Sequence, residues 1–259
     1  MDTRQLLSDN MATIAAALKT AIDEDRSSKA KEKARIGKRY YEYKHDILDN
    51  RIFYIDDNDV IREDTHASNV KIPHAFFTEQ VDQKVQYLLS NPIEFETEDE
   101  QLQTLLEEYY DEDFQLFLQE ALEGASKKGF EYVFARTNSD DRLTFQVADS
   151  IQTFAVYDDM GDVKRIVRYY DKDTYEKGKK GTITIAELWD EQQVTFFTKS
   201  GDKPFILDES REMNPRPHVL AKDSEGKLLQ RAYETIPFYR LSNNSKELSD
   251  LEPIKALID

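Results

Sequence analysis

The sequence lacks cysteine altogether and is poor in glycine, with eight among its 259 residues. Without cysteine there is no disulfide framework, no thiolate zinc site and no cysteine nucleophile, which favours an intracellular or virion setting. No apolar run approaches the roughly 18–20 residues of a membrane span, and Met1 to Asn10 lack the basic-then-apolar order of a signal peptide. At roughly 100–200 residues per domain, the sequence predicts a soluble protein of one or two domains.

Basic residues are also scarce, since 35 Lys and Arg stand against 52 Asp and Glu, for a formal net charge of −17. Twelve acids and no base lie between Val85 and Ser126, which we call the acidic segment. The acids are Glu94, Glu96, Glu98, Asp99, Glu100, Glu107, Glu108, Asp111, Glu112, Asp113, Glu120 and Glu123. The rest of the chain carries 40 acids against 35 bases, or −5, so most of the excess charge is local.

The opposite bias occurs from Arg26 to Arg51, the basic segment, where nine bases stand against four acids. Such asymmetry suits contact with a complementary protein surface or another copy of the chain, although both segments also fit solvated helix faces. A strongly acidic protein repels phosphate, which argues against tight, sequence-specific DNA binding. A protein that lets DNA pass without holding it is compatible with this charge.

Helical spacing dominates the first half of the chain. The predicted helices run from Leu6 to Ile22, from Ser28 to about Lys44 with Ser27 or Ser28 as N-cap, from near Ile72-Pro73 to Asn91-Pro92, from Glu98 to about Tyr110, and from Asp113 to Lys128, ending at Gly129. Phe53 to Ile55 and Val60-Ile61 predict a short polar hairpin. Tyr40, Tyr41 and Tyr43 lie beside basic residues, a pattern that fits base stacking but is more typical of core or subunit packing.

From Phe130 onward the apolar pattern becomes that of short strands. They are 130–134, 143–147, 153–157, 163–170, 182–188 and 194–198, and turn signals at Asn138 to Asp141, Asp158 to Gly161 and Ser200 to Asp202 separate them. A mostly antiparallel sheet after a helical half predicts the α+β class. Ser249 to Glu252 is a capping-box pattern with Pro253 in the first turn, so we expect a helix to begin there.

The sequence contains no complete signal of enzymatic chemistry. Lys177 to Thr182 resembles a phosphate loop only in composition, and we interpret it as a basic hairpin tip. Asp56 to Asp59 could hold calcium by composition, but the loop lacks the required glycine and glutamate, so a turn is favoured. The four histidines, His45, His66, His74 and His218, show no metal-ligand spacing and are interpreted as surface or packing residues.

One further pattern resembles a metal-dependent nuclease site. Glu225-Gly226-Lys227 with Asp208 upstream has the required residue types, but the carboxylates of such a site stand on strands, whereas Asp223 to Gly226 looks like a turn. No Gly-x-Ser-x-Gly elbow occurs either. We therefore expect no catalytic, cofactor-binding or metal-binding residues and no enzyme activity.

Several strings, in order, resemble the portal proteins of long-tailed phages, from about residue 38 to the end. They are Tyr40-Tyr41 with His45-Asp46-Ile47, Asn69 to His74, Val81 to Pro92, Gly124 to Gly129, Val156 to Asp159, Arg168 to Tyr170, Ile236 to Phe238, Asn243-Asn244, Ser249 to Glu252 and Leu257 to Asp259. The sequence departs from the family pattern at Ser90, where the family usually has glycine. The order and spacing of the strings, more than any one of them, carry the resemblance.

The resemblance implies a ring of about twelve copies at one capsid vertex, in the virion or, during assembly, in the host cytoplasm. Such rings pass double-stranded DNA during packaging and ejection, dock the terminase, contact capsid or scaffold proteins and later carry the head-to-tail connectors, with no membrane partner. Family chains are longer, and their clip, returning stem helix, tunnel loop and crown have no counterpart here, so we expect a truncated or otherwise partial portal subunit.

The expected organisation is an N-terminal helical arm over residues 1–50, an α+β wing domain over 51–245 and the start of a stem helix over 246–259. The mechanism would be passive, with subunits packing side by side through the basic segment of one copy and the acidic segment of the next. Two other interpretations remain at this point: an acidic interaction module that forms no ring, and a metal-dependent nuclease.

Overall fold

The computed structural model describes residues 3–137, 142–176, 179–222 and 228–258, and it confirms the α+β class. Its helices are α1 (Met11–Arg26), α2 (Lys29–Tyr41), α3 (Phe76–Leu89), α4 (Glu100–Tyr109), α5 (Glu112–Lys128) and α6 (Lys255–Ile258). Its strands are β1 (Phe53–Ile55), β2 (Ile61–Glu63), β3 (Phe130–Thr137), β4 (Leu143–Ala148), β5 (Thr153–Tyr157), β6 (Val163–Glu176), β7 (Lys179–Trp189), β8 (Gln193–Ser200), β9 (Ile206–Leu207), β10 (Arg216–Pro217), β11 (Val219–Lys222), β12 (Leu228–Arg231) and β13 (Phe238–Ser242).

Side-chain caps set most of the helix starts. The Asn10 side chain accepts from the Ala12 N–H at 2.9 Å, and Ser28, one of the two predicted caps, accepts from the Lys31 N–H at 3.3 Å. At the other end of α5, Gly129 has φ of 96°, a conformation that favours glycine. The five predicted helices and the short hairpin of β1 and β2 are therefore confirmed, with ends shifted by a few residues.

Three predicted helix starts are wrong. The first long helix begins at Met11 rather than at Leu6, which lies in a separate 3₁₀ turn over Arg4–Leu7. α3 begins at Phe76 rather than near Ile72-Pro73, because the residue before a proline favours extended backbone and Lys71 Nζ ties this stretch to the Leu48 carbonyl at 2.9 Å. The C-terminal helix α6 begins at Lys255 rather than at Ser249. The Ser249 hydroxyl donates to the Lys127 carbonyl at 2.8 Å, so the capping-box residues form turns against α5 instead.

The strands pair antiparallel throughout the described residues, and they form four sheets rather than one. The largest has the order β10-β8-β7-β6-β5, with β9 also paired to β8, and a three-stranded sheet has the order β13-β3-β4. β1 with β2 and β11 with β12 make two small hairpins. The predicted turns at Asp158 to Gly161 and Ser200 to Asp202 are confirmed, whereas those at Asn138 to Asp141 and Asp223 to Gly226 lie outside the described residues.

Both faces of the large sheet are covered. Alternate residues of a strand point to opposite faces, so Val167 and Tyr169 of β6 pack under α1, while Ile166 packs against the three-stranded sheet. The α1 side contributes Ile14, Leu18 and Ile22, each fully or almost fully buried. At roughly 1.5–3 kcal/mol per buried apolar side chain, these contacts make the helix an integral part of the sheet's core.

A third cluster holds the C-terminal residues against the helices. Tyr40 of α2, Phe77 and Val81 of α3, and Leu251 and Ile258 pack together. The end of the described chain is therefore fixed by side chains that lie far away in sequence.

Candidate functional site

Four of the strings that carry the portal resemblance meet at one polar junction. Lys84 Nζ donates to Asn243 Oδ1 at 2.6 Å and to Asp250 Oδ2 at 2.7 Å, and the Ser126 hydroxyl also donates to Asp250 Oδ2. The Asn243 side-chain amide donates to Asp250 Oδ1 at 2.8 Å. We call these four residues the polar junction. It joins α3, α5 and the segment that leads to α6.

The junction favours a charged Asp250. Burial raises the pKa of this carboxyl, but the hydrogen bonds from Lys84, Ser126 and Asn243 outweigh burial and hold the pKa below its usual range. Because breaking a half-buried charged pair leaves one partner uncompensated, the junction resists rearrangement. It therefore fixes the segment that leads to α6 against α3 and α5.

A second set of the same strings forms a clasp on α6. The ring of His45 stacks on Tyr40 at 4.8 Å and meets His74 edge-on at 5.1 Å, while His74 Nε2 lies 3.3 Å from the Ile258 carbonyl oxygen. Asp46 pairs with Lys255 of α6 at 2.6 Å and with Arg39 of α2. The hydrogen bond from Lys255 is the main reason that the Asp46 pKa falls to about 2. These seven residues are the C-terminal clasp.

The tyrosines of this region pack rather than stack on bases. Tyr40 is fully buried, and its hydroxyl accepts from the Asp46 N–H at 3.1 Å. The Tyr41 hydroxyl donates to Asp82 at 2.8 Å, which together with burial raises the Tyr41 pKa. Tyr43 is about half exposed at a φ of 61°. Packing, the favoured interpretation, is confirmed for Tyr40 and Tyr41.

A buried charge ties the turn between α1 and α2 to the large sheet. Lys31 is only 4% exposed, and its ammonium group donates to the carbonyls of Ser150 and Thr153 and lies 3.4 Å from Asp25 Oδ2. Burial lowers the pKa of Lys31 and raises that of Asp25, against their mutual attraction. The sequence pattern places Lys31 on a charged helix face and does not indicate this contact.

A second buried lysine joins α5 to the three-stranded sheet. Lys128 Nζ pairs with Glu131 and lies 2.9 Å from Asp149 Oδ1, and all three groups are partly or wholly shielded from water. Burial alone would lower the pKa of Lys128, but the two carboxylates reverse this and raise it. The pair keeps the end of α5 in register with β3.

The acidic segment, in contrast, is exposed. No residue of α4 is buried, and large apolar side chains stand in solvent among the acids, including Tyr87 at 84% and Leu105 at 49% exposed. Within the described residues, ion pairs join only two of the twelve acids to a cation: Glu108 to Arg142 at 3.5 Å, and Glu123 to Lys127. Asp99 and Asp111 cap α4 and α5, where the helix dipole favours negative charge.

Most of the basic segment is already neutralised within the chain. Six of its nine bases form ion pairs: Arg26 with Asp171, Lys31 with Asp25, Lys33 with Glu252, Arg39 with Asp46, Lys44 with Glu42, and Arg51 with Glu63. Its charge toward a neighbouring molecule is therefore smaller than the sequence count indicates.

Asp56 to Asp59, the segment that could hold calcium by composition, form a turn, which is the interpretation that the sequence favours. Asp56 Oδ1 accepts from the N–H groups of Asn58 and Val60 at 2.9 and 3.0 Å, and Arg62 pairs with its other oxygen at 2.6 Å. The hydrogen bond from the Val60 N–H is the main reason that the Asp56 pKa is lowered. Within the described part of the chain, no group of three acidic, histidine or cysteine side chains is placed to hold a metal ion.

The histidines are packing or surface residues, as expected. His218 is buried between Trp189 and Tyr233, with ring centroids 5.7 and 5.4 Å away, and burial lowers its pKa. His66 is exposed.

Asp208, the first carboxylate of the nuclease pattern, is bound by neighbouring side chains of its own loop. Asp208 accepts from the Ser210 hydroxyl at 2.6 Å and pairs with Arg211 at 2.9 Å, and these bonds lower its pKa against the opposing effect of burial. Glu225 lies outside the described residues, as do Lys177 and Gly178 of the predicted hairpin tip. None of the helices that the structure describes is long and apolar enough to cross a membrane.

Comparison with known proteins identifies the class. A profile of the phage portal protein family, SPP1 Gp6-like, matches residues 21–259. The chain belongs to this family of phage structural proteins, so the resemblance is confirmed. Among curated proteins, the portal protein of Bacillus phage SPP1 is 31% identical over 227 residues, which cover 86% of this chain and 43% of that protein. The chain thus spans less than half the length of this relative.

Proposed function

We propose that this chain is a structural subunit of a ring through which double-stranded DNA is packaged and ejected, at the capsid vertex that joins the tail. By family resemblance the ring has about twelve copies. Its partners are further copies of the chain, the terminase, capsid or scaffold proteins and the head-to-tail connector proteins. The chain acts in assembled capsids and, before that, in the host cytoplasm.

The mechanism we propose is passive. The polar junction and the C-terminal clasp hold residues 243–258 against α2, α3 and α5, so this C-terminal segment keeps one direction relative to the helices. We keep the division into an arm over 1–50, a wing over 51–245 and the start of a stem helix over 246–259 as part of this proposal. In it, α1 of the arm packs into the core of the wing's large sheet.

The observation that carries the assembly role is the exposed acidic segment. Ten of its acids have no cationic partner among the described residues, and exposed apolar side chains of α3 and α4 stand in the same segment. Exposed apolar side chains together with charged ones are typical of a protein interface, where the charges exclude wrong partners. Because phosphate is repelled, the same surface does not retain passing DNA.

Sedimentation velocity tests this proposal. Reversal of three exposed acids to lysine, Glu107→Lys, Glu108→Lys and Asp111→Lys, is expected to weaken self-association because it removes complementary charge from the contact. The control reverses Asp57, Glu209 and Glu212, which are also exposed. Because Glu108 pairs with Arg142 and Asp111 caps α5, circular dichroism must show that the first variant keeps its helices.

The expected result is a shift toward the single subunit in the first variant and not in the second. An unchanged distribution in the first variant contradicts the role of the acidic segment. A single small species of the unmodified chain at every concentration favours the acidic interaction module instead.

A further inference from the structure

A groove separates the two larger sheets along their free edges. It consists of two adjoining cavities of about 330 and about 470 Å³, which share Tyr132, Ala155, Tyr157 and Arg240 as lining residues. One wall is β5, the edge strand of the large sheet, and the other is β13, the edge strand of the three-stranded sheet.

The backbone of β5 is open toward this groove. The Thr153 carbonyl accepts from Lys31 Nζ, so it points away from β6. Backbone groups alternate in an antiparallel pair, which places the N–H and C=O of Ala155 and Tyr157 on the same outward side. The β5–β6 pairing shifts register between Val156 and Tyr157, where Lys164 of β6 is the extra residue. The Asp158 N–H still bonds to the Asp162 carbonyl, so the backbone of β5 itself keeps its alternation.

The backbone of β13 faces the groove in the same way. The Pro237 carbonyl accepts from the Ala135 N–H, and the Asn243 N–H donates to the Gly129 carbonyl, so both residues point toward β3. The alternation then turns the backbone of Arg240 and Ser242 outward. Two edge strands therefore present hydrogen-bonding groups to one groove, the arrangement that accepts an added strand.

The charge of the groove changes along its length. The end near Thr153 is lined by Lys29, Lys33 and Lys246, together with the buried Lys31 and Lys128, against Asp25, Glu247 and Glu252. The opposite end carries Glu191 and Glu234. Lys29 and Lys246 are exposed and have no carboxylate within ion-pair distance among the described residues. The first end therefore favours an acidic segment.

The chain itself contains a segment with the matching pattern. Residues 93–98 alternate between Ile93, Phe95 and Thr97 on one side and Glu94, Glu96 and Glu98 on the other, as a strand with one apolar face does. They belong to none of the described strands. Phe95 packs on Tyr110 with ring centroids 4.5 Å apart, which leaves the glutamates free to face a partner.

We propose that residues 93–98 of one copy add as a strand to β5 of a second copy, with their glutamates at the lysine-lined end of the groove. This inference rests on the ring proposed above and names the contact between its subunits. The negative charge of the segment increases toward Glu100, and Pro92 stands at its other end. The C-terminal end of the segment therefore lies at the lysine-lined end of the groove, beside Thr153 at the start of β5, so the two strands are antiparallel. Lys29, Lys31 and Lys33 of the groove belong to the basic segment, and Lys128 and Lys246 join them as the complement of the acidic segment.

The absence of native cysteine allows a direct test by disulfide cross-linking. A chain carrying Lys246→Cys is mixed with a chain carrying Glu98→Cys and oxidised, and a covalent dimer is expected. The control mixture pairs Glu98→Cys with Lys172→Cys, an exposed lysine on β6 that does not line the groove. Sedimentation velocity of the same proteins before oxidation reports whether they associate.

A second test exchanges the charges. The variant Lys29→Glu with Lys246→Glu is expected to weaken self-association by about tenfold, and adding Glu96→Lys with Glu98→Lys is expected to restore it. Lys172→Glu with Lys203→Glu is the control and is expected to leave association unchanged.

The outcomes separate this contact from the ring itself. A dimer in the first mixture alone, with charge rescue, supports strand addition in the groove. Proteins that associate but cross-link equally in both mixtures, or in neither, overturn the groove contact and leave the ring intact. Proteins that never associate overturn both.

Discussion

The Tyr169 hydroxyl donates a hydrogen bond of 2.8 Å to Asp25 Oδ2, across 144 residues of sequence. Tyr169 lies on β6 and Asp25 near the end of α1, and Lys31 Nζ lies 3.4 Å from the same carboxylate oxygen. Burial and the neighbouring carboxylate raise the Tyr169 pKa, so the hydroxyl remains a donor. The first helices are therefore joined to the sheet by a buried polar network as well as by apolar packing.

Loss of the Lys31 ammonium group should destabilise the domain strongly. Lys31→Met leaves the Asp25 carboxylate buried without its cation, and breaking a buried pair costs about 3–5 kcal/mol. The free energy of unfolding in urea is the measurement. Lys29→Met, two residues away and exposed, is the control and is expected to stay within about 0.5 kcal/mol. A loss below about 1 kcal/mol in the Lys31 variant would contradict the role of the network.

The close approach of α2 and α5 depends on Gly37. A Cβ at this position would lie 1.8 Å from the Lys127 carbonyl oxygen, so the helix backbones must separate in Gly37→Ala. Alanine favours a helix interior by about 1 kcal/mol, but overpacking costs about 1–3 kcal/mol and the contact is with rigid backbone. We expect net destabilisation in urea unfolding.

The glycine control is Gly181→Ala, where the nearest atom to the new Cβ is Thr174 Oγ1 at 3.4 Å. That variant is expected to remain within about 0.5 kcal/mol of the native chain. Equal stability of the two variants would show that α2 and α5 tolerate a wider spacing.

The C-terminal clasp should weaken in acid. The folded pKa of Asp46 is about 2, below the value of about 3.9 in an unfolded chain, so its contribution is present above pH 4 and is lost as the pH falls toward 2. Asp46→Asn removes that contribution, and the stability difference from the native chain should shrink over this range. Because the side chain is 43% exposed, we expect a difference below about 1 kcal/mol at pH 7.

Urea unfolding at pH 7, 4 and 3 measures this difference, with Asp57→Asn as an exposed control. A pH-independent difference for Asp46→Asn would mean that its ion pairs with Lys255 and Arg39 do not form in solution.

Double-stranded DNA should not be retained by the chain. With a net charge of −17, few phosphates are neutralised, and a gel-shift titration at about 50 mM salt is expected to show no complex at micromolar protein. A salt-sensitive complex with submicromolar affinity would contradict a surface that lets DNA slide past.

The periodic parts of the chain were predictable from sequence, and the reason is physical. The apolar stripe of α1 and the alternation of β6 and β8 report directly which side of each element is buried. The start of α3 was misplaced because proline at a first turn and proline before a helix look alike in sequence. The Ser249 capping box was misread because its hydroxyl has a second partner, the Lys127 carbonyl, that only the tertiary fold brings near.

The surfaces that we propose for assembly are visible from sequence only in outline. The acidic segment is visible from charge counting, but the pairing of six bases of the basic segment depends on residues such as Asp171 and Glu252 that lie far along the chain. Buried Lys31 had one available signal, because it extends the three-residue spacing of Ala34, Gly37 and Tyr40, the buried face of α2. The groove between β5 and β13 follows from sheet topology, which the strand pattern alone does not give.

Negative-stain electron microscopy of the purified protein tests the central claim most directly. A portal subunit is expected to give rings of uniform diameter with a stain-filled central channel, and the reversal of Glu107, Glu108 and Asp111 is expected to reduce their number. A field of single particles the size of one 30.3 kDa chain at every concentration would contradict the account.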